Sequence, residues 1–196
     1  MKDSFLFLAE GFEEIEAITC IDILRRAGID VKTVSISGSH EVKGAHGISI
    51  VSDMLFNDIA FDNPEWIILP GGMPGATNLY EFKPLCNMLE RQMKSPRGKI
   101  AAICAAPAVV LGQLGLLKGE RATCYPGFEQ FLAGSIISDA PVTVSDRFVL
   151  GNGPANAMKW ALAIVHSATN ENTSSKIGSD LLFYPDHTEN IDFNFG

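Results

Sequence analysis

The sequence is short of basic residues, of paired cysteines and of long apolar runs, and each shortage excludes a class of function. Lys and Arg number 15 against 23 Asp and Glu, for a net charge of −8. Nucleic-acid binders present basic patches; no Lys/Arg cluster occurs here, which excludes nucleic acid as a partner. No stretch approaches the roughly 18 apolar residues of a membrane-spanning helix. Met1–Ala9 holds too short an apolar core for a signal peptide and reads as a first strand. Cys20, Cys86, Cys104 and Cys124 contain no Cys-x-x-Cys, so neither a zinc knuckle nor a disulfide framework is indicated. No Gly-x-Gly-x-x-Gly loop offers a cradle for a flavin or dinucleotide phosphate. Together these absences set the expectation of a reduced, cytoplasmic protein without metal or cofactor.

What is present is a globular composition, 46% hydrophobic and 19% charged over 196 residues. Ser4–Leu8 is expected as a strand, and Ile15–Ala27 as a helix with Ala17, Ile18, Ile21 and Leu24 on its buried face. Asp30–Ser37 alternates as a second strand, and Gly38, Gly44 and Gly47 punctuate a ribbon of Glu41–Lys43 and Ile48–Val51. Glu65–Leu69 is a buried strand ending at Pro70-Gly71-Gly72, and Phe82–Lys94 is helical. Lys99–Ile103 is another buried strand, followed by a helix from Pro107 to Leu117. A short strand at Ala122–Tyr125, a helical turn at Phe128–Leu132, a hairpin of Val142–Val144 with Arg147–Leu150, and a final helix Asn156–Ala168 complete the pattern. Strands separated by helices predict an α/β fold with a doubly wound, mostly parallel sheet. Residues 1–183 are expected as one domain and 184–196 as an acidic tail.

Cys104 falls where a buried strand turns sharply into a helix, a geometry that lifts a side chain out of the sheet. The free N–H groups and positive dipole end of that helix favour a thiolate, the nucleophilic form. The alternative is a packed structural cysteine, since free cysteines are among the most buried residues. Ligand crevices in open α/β sheets lie beyond the carboxyl ends of the strands. Glu13, Glu14 and Glu16 reach that edge after the first strand, Gly71-Gly72 after another, and Cys104 after a third. Glu13 and Glu14 read as helix-start electrostatics. A carboxyl at Glu16 beside a thiolate would hold its proton and serve as an acid/base. Gly71-Gly72 is either a tight turn or, with Ala105, a source of N–H donors for an oxyanion.

At these residues the sequence resembles the ThiJ/PfpI superfamily and its DJ-one-like, parkinsonism-linked branch. The matching stretches are Gly11–Ala17, Ile21–Ile29, Leu69–Gly72, Ala101–Pro107 and Gly151–Pro154, in order and spacing over about residues 4–170. The resemblance implies a flavodoxin-like, class I glutamine amidotransferase-like sandwich, a homodimer, and a nucleophile-elbow cysteine at Cys104 with Glu16 as its protonated partner. It further implies backbone donors at Gly72 and Ala105, and a pocket including Gly71, His46 and Pro154. Protease-like members carry a histidine directly after the cysteine; Ala105 stands there, which counts against peptidase activity. No histidine occurs in Ala122–Asp146 either, where many glyoxalase-like members have one. The implied substrate is a small reactive carbonyl, in a glyoxalase or deglycase reaction. The competing expectation is an oxidative-stress sensor or chaperone acting through oxidation of Cys104, with Cys124 as a second oxidisable thiol or simply a packed one.

Overall fold

The computed structural model describes residues 3–58 and 61–183, so the acidic tail lies outside the described residues. Predominantly apolar runs, with Lys32 and Lys99 the only charged residues among them, form strands buried on both faces. These are β1 (Ser4–Leu8), β2 (Val31–Ser35), β6 (Trp66–Leu69), β7 (Lys99–Ile103) and β11 (Phe148–Gly151). With the short strands β5 (Met54–Leu55) and β10 (Val142–Val144), they make one sheet in the order β10-β11-β7-β6-β1-β2-β5. Every pairing is parallel except β10 with β11, the predicted hairpin. The ribbon is β3 (Glu41–Lys43) against β4 (Ser49–Val51), antiparallel and outside the main sheet.

Alternation along the strands sends side chains to two helical layers. Leu6, Leu8, Ile68 and Ile103 pack with α1 (Glu14–Arg26) and α4 (Ala157–Ala168). Phe5, Phe7, Ile67 and Leu69 pack with α2 (Gly75–Glu81), α3 (Lys83–Lys94) and the helix after β7. No helix among the described residues is long and apolar enough to cross a membrane.

Several elements differ from the sequence expectation. Helix α1 buries Ala17, Cys20, Ile23 and Leu24, while Ile18 faces outward at 44% exposure and Ile21 is half-buried. The small Ala17 and Cys20 let α1 approach the sheet and α4, turning Ile15 and Ile18 to the surface. Helix α2 follows Pro74 but contains Gly75, Thr77 and Asn78, poor helix formers whose conformation is fixed by packing of Ala76 and Leu79. The segment after β7 is a π-type helix over Pro107–Gly112, where the Gln113 N–H reaches five residues back to Ala108 O, rather than an α-helix to Leu117. The strand expected at Ala122–Tyr125 is the two-residue β8 (Arg121–Ala122), paired with β9 (Ile136–Ile137). Helix α4 is not the last: the polar α5 (Glu171–Asp180) follows, capped by Asn170 Oδ1 accepting from the Thr173 N–H.

Candidate active site

Three strand ends meet at the carboxyl edge of the sheet. After β7, Cys104 adopts φ +64°, a left-handed backbone that non-glycine residues rarely enter. It is held there on both sides: its N–H donates to Gly151 O at 2.9 Å, and its carbonyl accepts from the Tyr125 N–H at 2.8 Å. Strain anchored by neighbouring strands marks functional turns, and the predicted elbow is present.

After β1 the chain turns at Gly11 and enters α1, whose first turn carries Glu16. Glu16 is fully buried. Its Oε2 accepts from the Gly71 N–H at 2.7 Å, while Oε1 has no hydrogen-bond partner among the described residues. Gly71 is the hinge between the two side chains. A Cβ there would lie 2.6 Å from the Cys104 Cβ and 2.9 Å from Glu16 Oε2, so only glycine lets carboxyl and thiol meet.

The electrostatics of the pair correct one expectation. Burial, then the charge and hydrogen bonding of Glu16, push the Cys104 thiol up to about 12. The Gly72 and Ala105 N–H groups pull in the opposite direction but are outweighed. The thiol is therefore raised rather than lowered, because desolvation in the elbow and then Glu16 outweigh the help of those N–H groups. Burial also pushes the Glu16 carboxyl up to about 7, against the Gly71 N–H and Cys104. A carboxyl with its pKa near 7 exchanges its proton near neutrality.

A cleft of about 510 Å³ opens over this pair. Gly72, Cys104, Ala105, His46 and Pro154 all line it, and Gly71 lies directly behind the thiol. Cys104 is 8% exposed at its floor, buried but reachable. Cys124 is also buried, and burial, then Glu129, push its thiol up to about 11. His166 is exposed on α4 beside a separate groove between α4 and α5.

The sequence missed the arrangement around His46. Glu14 is buried and clamps the loop that carries it: Oε1 accepts from the N–H groups of His46 at 2.7 Å and Ile48 at 3.3 Å, and Oε2 pairs with His46 Nδ1 at 2.9 Å. Burial alone would raise Glu14, but these hydrogen bonds bring its carboxyl below the usual range. The His46 imidazole is raised, by its hydrogen bond with Glu14 and then by the charges of Glu13 and Glu14. Glu13, Glu14 and His46 offer potential ligand atoms within 4.8 Å of one another, but His46 Nδ1 is already spent on Glu14. No local pattern could have shown this, since the partners are 32 residues apart. Tyr125 and Phe128 complete the far wall of the cleft.

Fold and site together define a flavodoxin-like α/β protein with a cysteine at a strained strand-to-helix elbow, paired to a buried acid. The sequence profile of the DJ-1/PfpI family matches residues 3–167, and the chain belongs to that family. Its sheet and helices match oxidised DJ-1 of Toxoplasma gondii with a TM-score of 0.89 and 35% identity, covering 93% of this chain and 99% of that one. Protein DJ-1 homolog B of Arabidopsis thaliana is 36% identical over 185 residues, covering 94% of this chain. The chain spans about half the length of the plant relatives, 42% of homolog B and 49% of homolog A. The glutathione-independent glyoxalase DJR-1.2 of Caenorhabditis elegans is 38% identical over 160 residues, covering 81% of this chain and 83% of the worm protein.

Proposed function

We propose that this chain converts small 2-oxoaldehydes such as methylglyoxal to 2-hydroxy acids, with Cys104 as nucleophile and Glu16 as acid/base. The observation that carries the reading is the meeting of a strained cysteine, a buried acid pushed up to about 7 and two backbone donors at one cleft floor. As the sulfur adds to the aldehyde carbon, the Glu16 carboxylate accepts the thiol proton; the new oxyanion faces the Gly72 and Ala105 N–H groups and then takes that proton. Glu16 next removes the hydrogen of the former aldehyde carbon as a proton and delivers it to the neighbouring carbonyl carbon. The hydroxyl of the adduct loses its proton to the reduced oxygen, leaving a thioester, and water releases the 2-hydroxy acid and the free thiol. The absence of an imidazole at Ala105 supports carbonyl chemistry over peptide hydrolysis, and the name of the worm relative supports the same reaction class. Lactate formation from methylglyoxal tests the reading: wild type turns over, and Cys104→Ala at the same trace rate as wild type would overturn it.

A second reading is favoured by the oxidised state of the similar Toxoplasma protein. Here Cys104, losing its proton to Glu16, attacks one oxygen of hydrogen peroxide, the O–O bond breaks and water leaves; a second peroxide carries the sulfenate to a sulfinate. Intact mass after mild peroxide separates the two, since two oxygens on Cys104 without any turnover would assign sensing.

We also read the outward face of α1 as a contact for a second copy of the chain. Ile15 is 56% exposed and Ile18 lies one turn further along the same face. Ile48, equally exposed, adjoins them through the bond of its N–H to Glu14. Apolar side chains grouped beside a cleft in this way suit an isologous dimer.

A further inference from the structure

We infer that the groove between α4 and α5 is the docking site of this chain's own residues 184–196, seated by their aromatic side chains and held by their carboxylates against Lys159 and His166.

The groove has a volume of about 460 Å³ and an apolar lining of Leu162, Ala163 and Phe183. Gly178 keeps it open, since even a Cβ there would touch Leu162 Cδ1 at 3.5 Å. Lys159 and His166, both exposed, belong to the same lining and stand two turns apart on α4, about 10 Å along its axis. No Asp or Glu lines the groove among the described residues, and Asp180 of α5 is taken by Lys176 at 2.6 Å. In a chain of net charge −8, an apolar hollow bordered by a lysine and a histidine is a local exception. None of Ile15, Ile18 and Ile48, the side chains read above as the contact with a second copy, lines it.

Residues 184–196 lie outside the described residues, and their sequence supplies the complement. They hold Asp186, Glu189 and Asp192 and no Lys or Arg. Ile191, Phe193 and Phe195 alternate with Asp192 and Asn194, so an extended backbone puts the apolar groups on one side. The chain sets out toward them from the groove itself. Leu182 takes φ +57°, and with it the Leu182 N–H donates to Ser179 O at 3.0 Å and the Phe183 N–H to Gly178 O at 2.9 Å. That reversal closes α5 and leaves Phe183 in the groove lining. From Phe183 to Phe193 an extended chain spans up to about 33 Å, more than the groove requires. A segment tethered so closely faces its site at an effective concentration of about millimolar, so weak contacts suffice to seat it. Docking covers Leu162 and Phe183 and braces α5, whose serines and Gly178 are weak helix formers.

The test uses the full chain carrying Phe193→p-benzoylphenylalanine, which keeps the aromatic ring. On irradiation the ketone takes a hydrogen from a neighbouring C–H and the two radical carbons join, and digestion with mass spectrometry locates the new bond. The expected product joins position 193 to α4 or α5 and keeps the mass of a single chain. Lys159→Glu combined with His166→Glu should lower its yield by about threefold, and added salt should lower it as well. Ala163→Phe, which fills the groove without changing charge, should lower it at least as far. Bonds to other parts of the chain, a product of two chains, or a yield unchanged in the Lys159→Glu, His166→Glu protein overturn the proposal; so does an unchanged yield in Ala163→Phe. Should Ala163→Phe fail to fold, the charge-reversed protein, altered only at exposed positions, decides alone.

Discussion

At the scale of single residues, the pair of Glu16 and Cys104 governs both rate and stability. Glu16 must be ionised to take the thiol proton, so kcat/KM should rise as pH climbs through about 7 and level off above it. Glu16→Gln should remove that limb and lower kcat/KM by about 10²- to 10⁴-fold, measured as lactate formation across pH. The same group carries a stability signature of opposite slope. An acid whose folded pKa exceeds its unfolded one stabilises the fold below the unfolded value, and the contribution is lost as pH rises through the folded value. For Glu16 the window runs from 4.5 to about 7 and amounts to about 3 kcal/mol. Glu16→Gln should therefore gain melting temperature over wild type above that window and not below it, by calorimetry. His46 is a base raised by Glu14, so its contribution is present below its ordinary value of 6.5 and lost as pH rises through its higher folded value. Glu14→Gln should bring the His46 titration down toward that ordinary value, followed by proton NMR of the ring.

At the scale of elements, the elbow is a turn that stores strain. Cys104 at φ +64° would be relaxed by glycine, so Cys104→Gly should be more stable than Cys104→Ala by about 1 kcal/mol. That order reverses the usual ranking of the two residues, and denaturant unfolding of both variants measures it. The elbow was legible because an apolar strand, a cysteine and a helix-starting proline stand in series within Lys99–Pro107. Gly71 was legible only as a turn. Its close approach to Cys104 and Glu16 comes from three strands ending together, and Gly71→Ala should cost stability and slow alkylation of Cys104 by wedging carboxyl and thiol apart. Helix α2 was not anticipated, and the buried face of α1 was misread, for a shared reason. Their apolar periodicity is weak, and the face that ends up buried is chosen by what packs against it, α4 for α1 and the Pro107–Gly112 helix for α2.

At the scale of the whole molecule, the grouped isoleucines of α1 and Ile48 give the clearest expectation. Sedimentation should report a dimer, and Ile18→Lys should convert it to monomer while the Cys104 cleft, lined by Ile15 but not Ile18, keeps its reactivity toward a neutral alkylating reagent. A monomeric wild type would remove the isologous contact.

The order of the main-sheet strands and of helices α1, α3 and α4, the elbow at Cys104 and the edge of the sheet where chemistry gathers were determined by the sequence itself. Each is written in contiguous residues, as hydrophobic period, glycine placement or charge at a helix start. Only the tertiary structure decided that Glu14 holds His46 and that Glu13 is left facing the cleft. It also decided that desolvation raises the Cys104 thiol where the helix start alone would lower it. Those outcomes depend on distances between groups brought from different strands, and on how much water is excluded between them, quantities that no local pattern encodes.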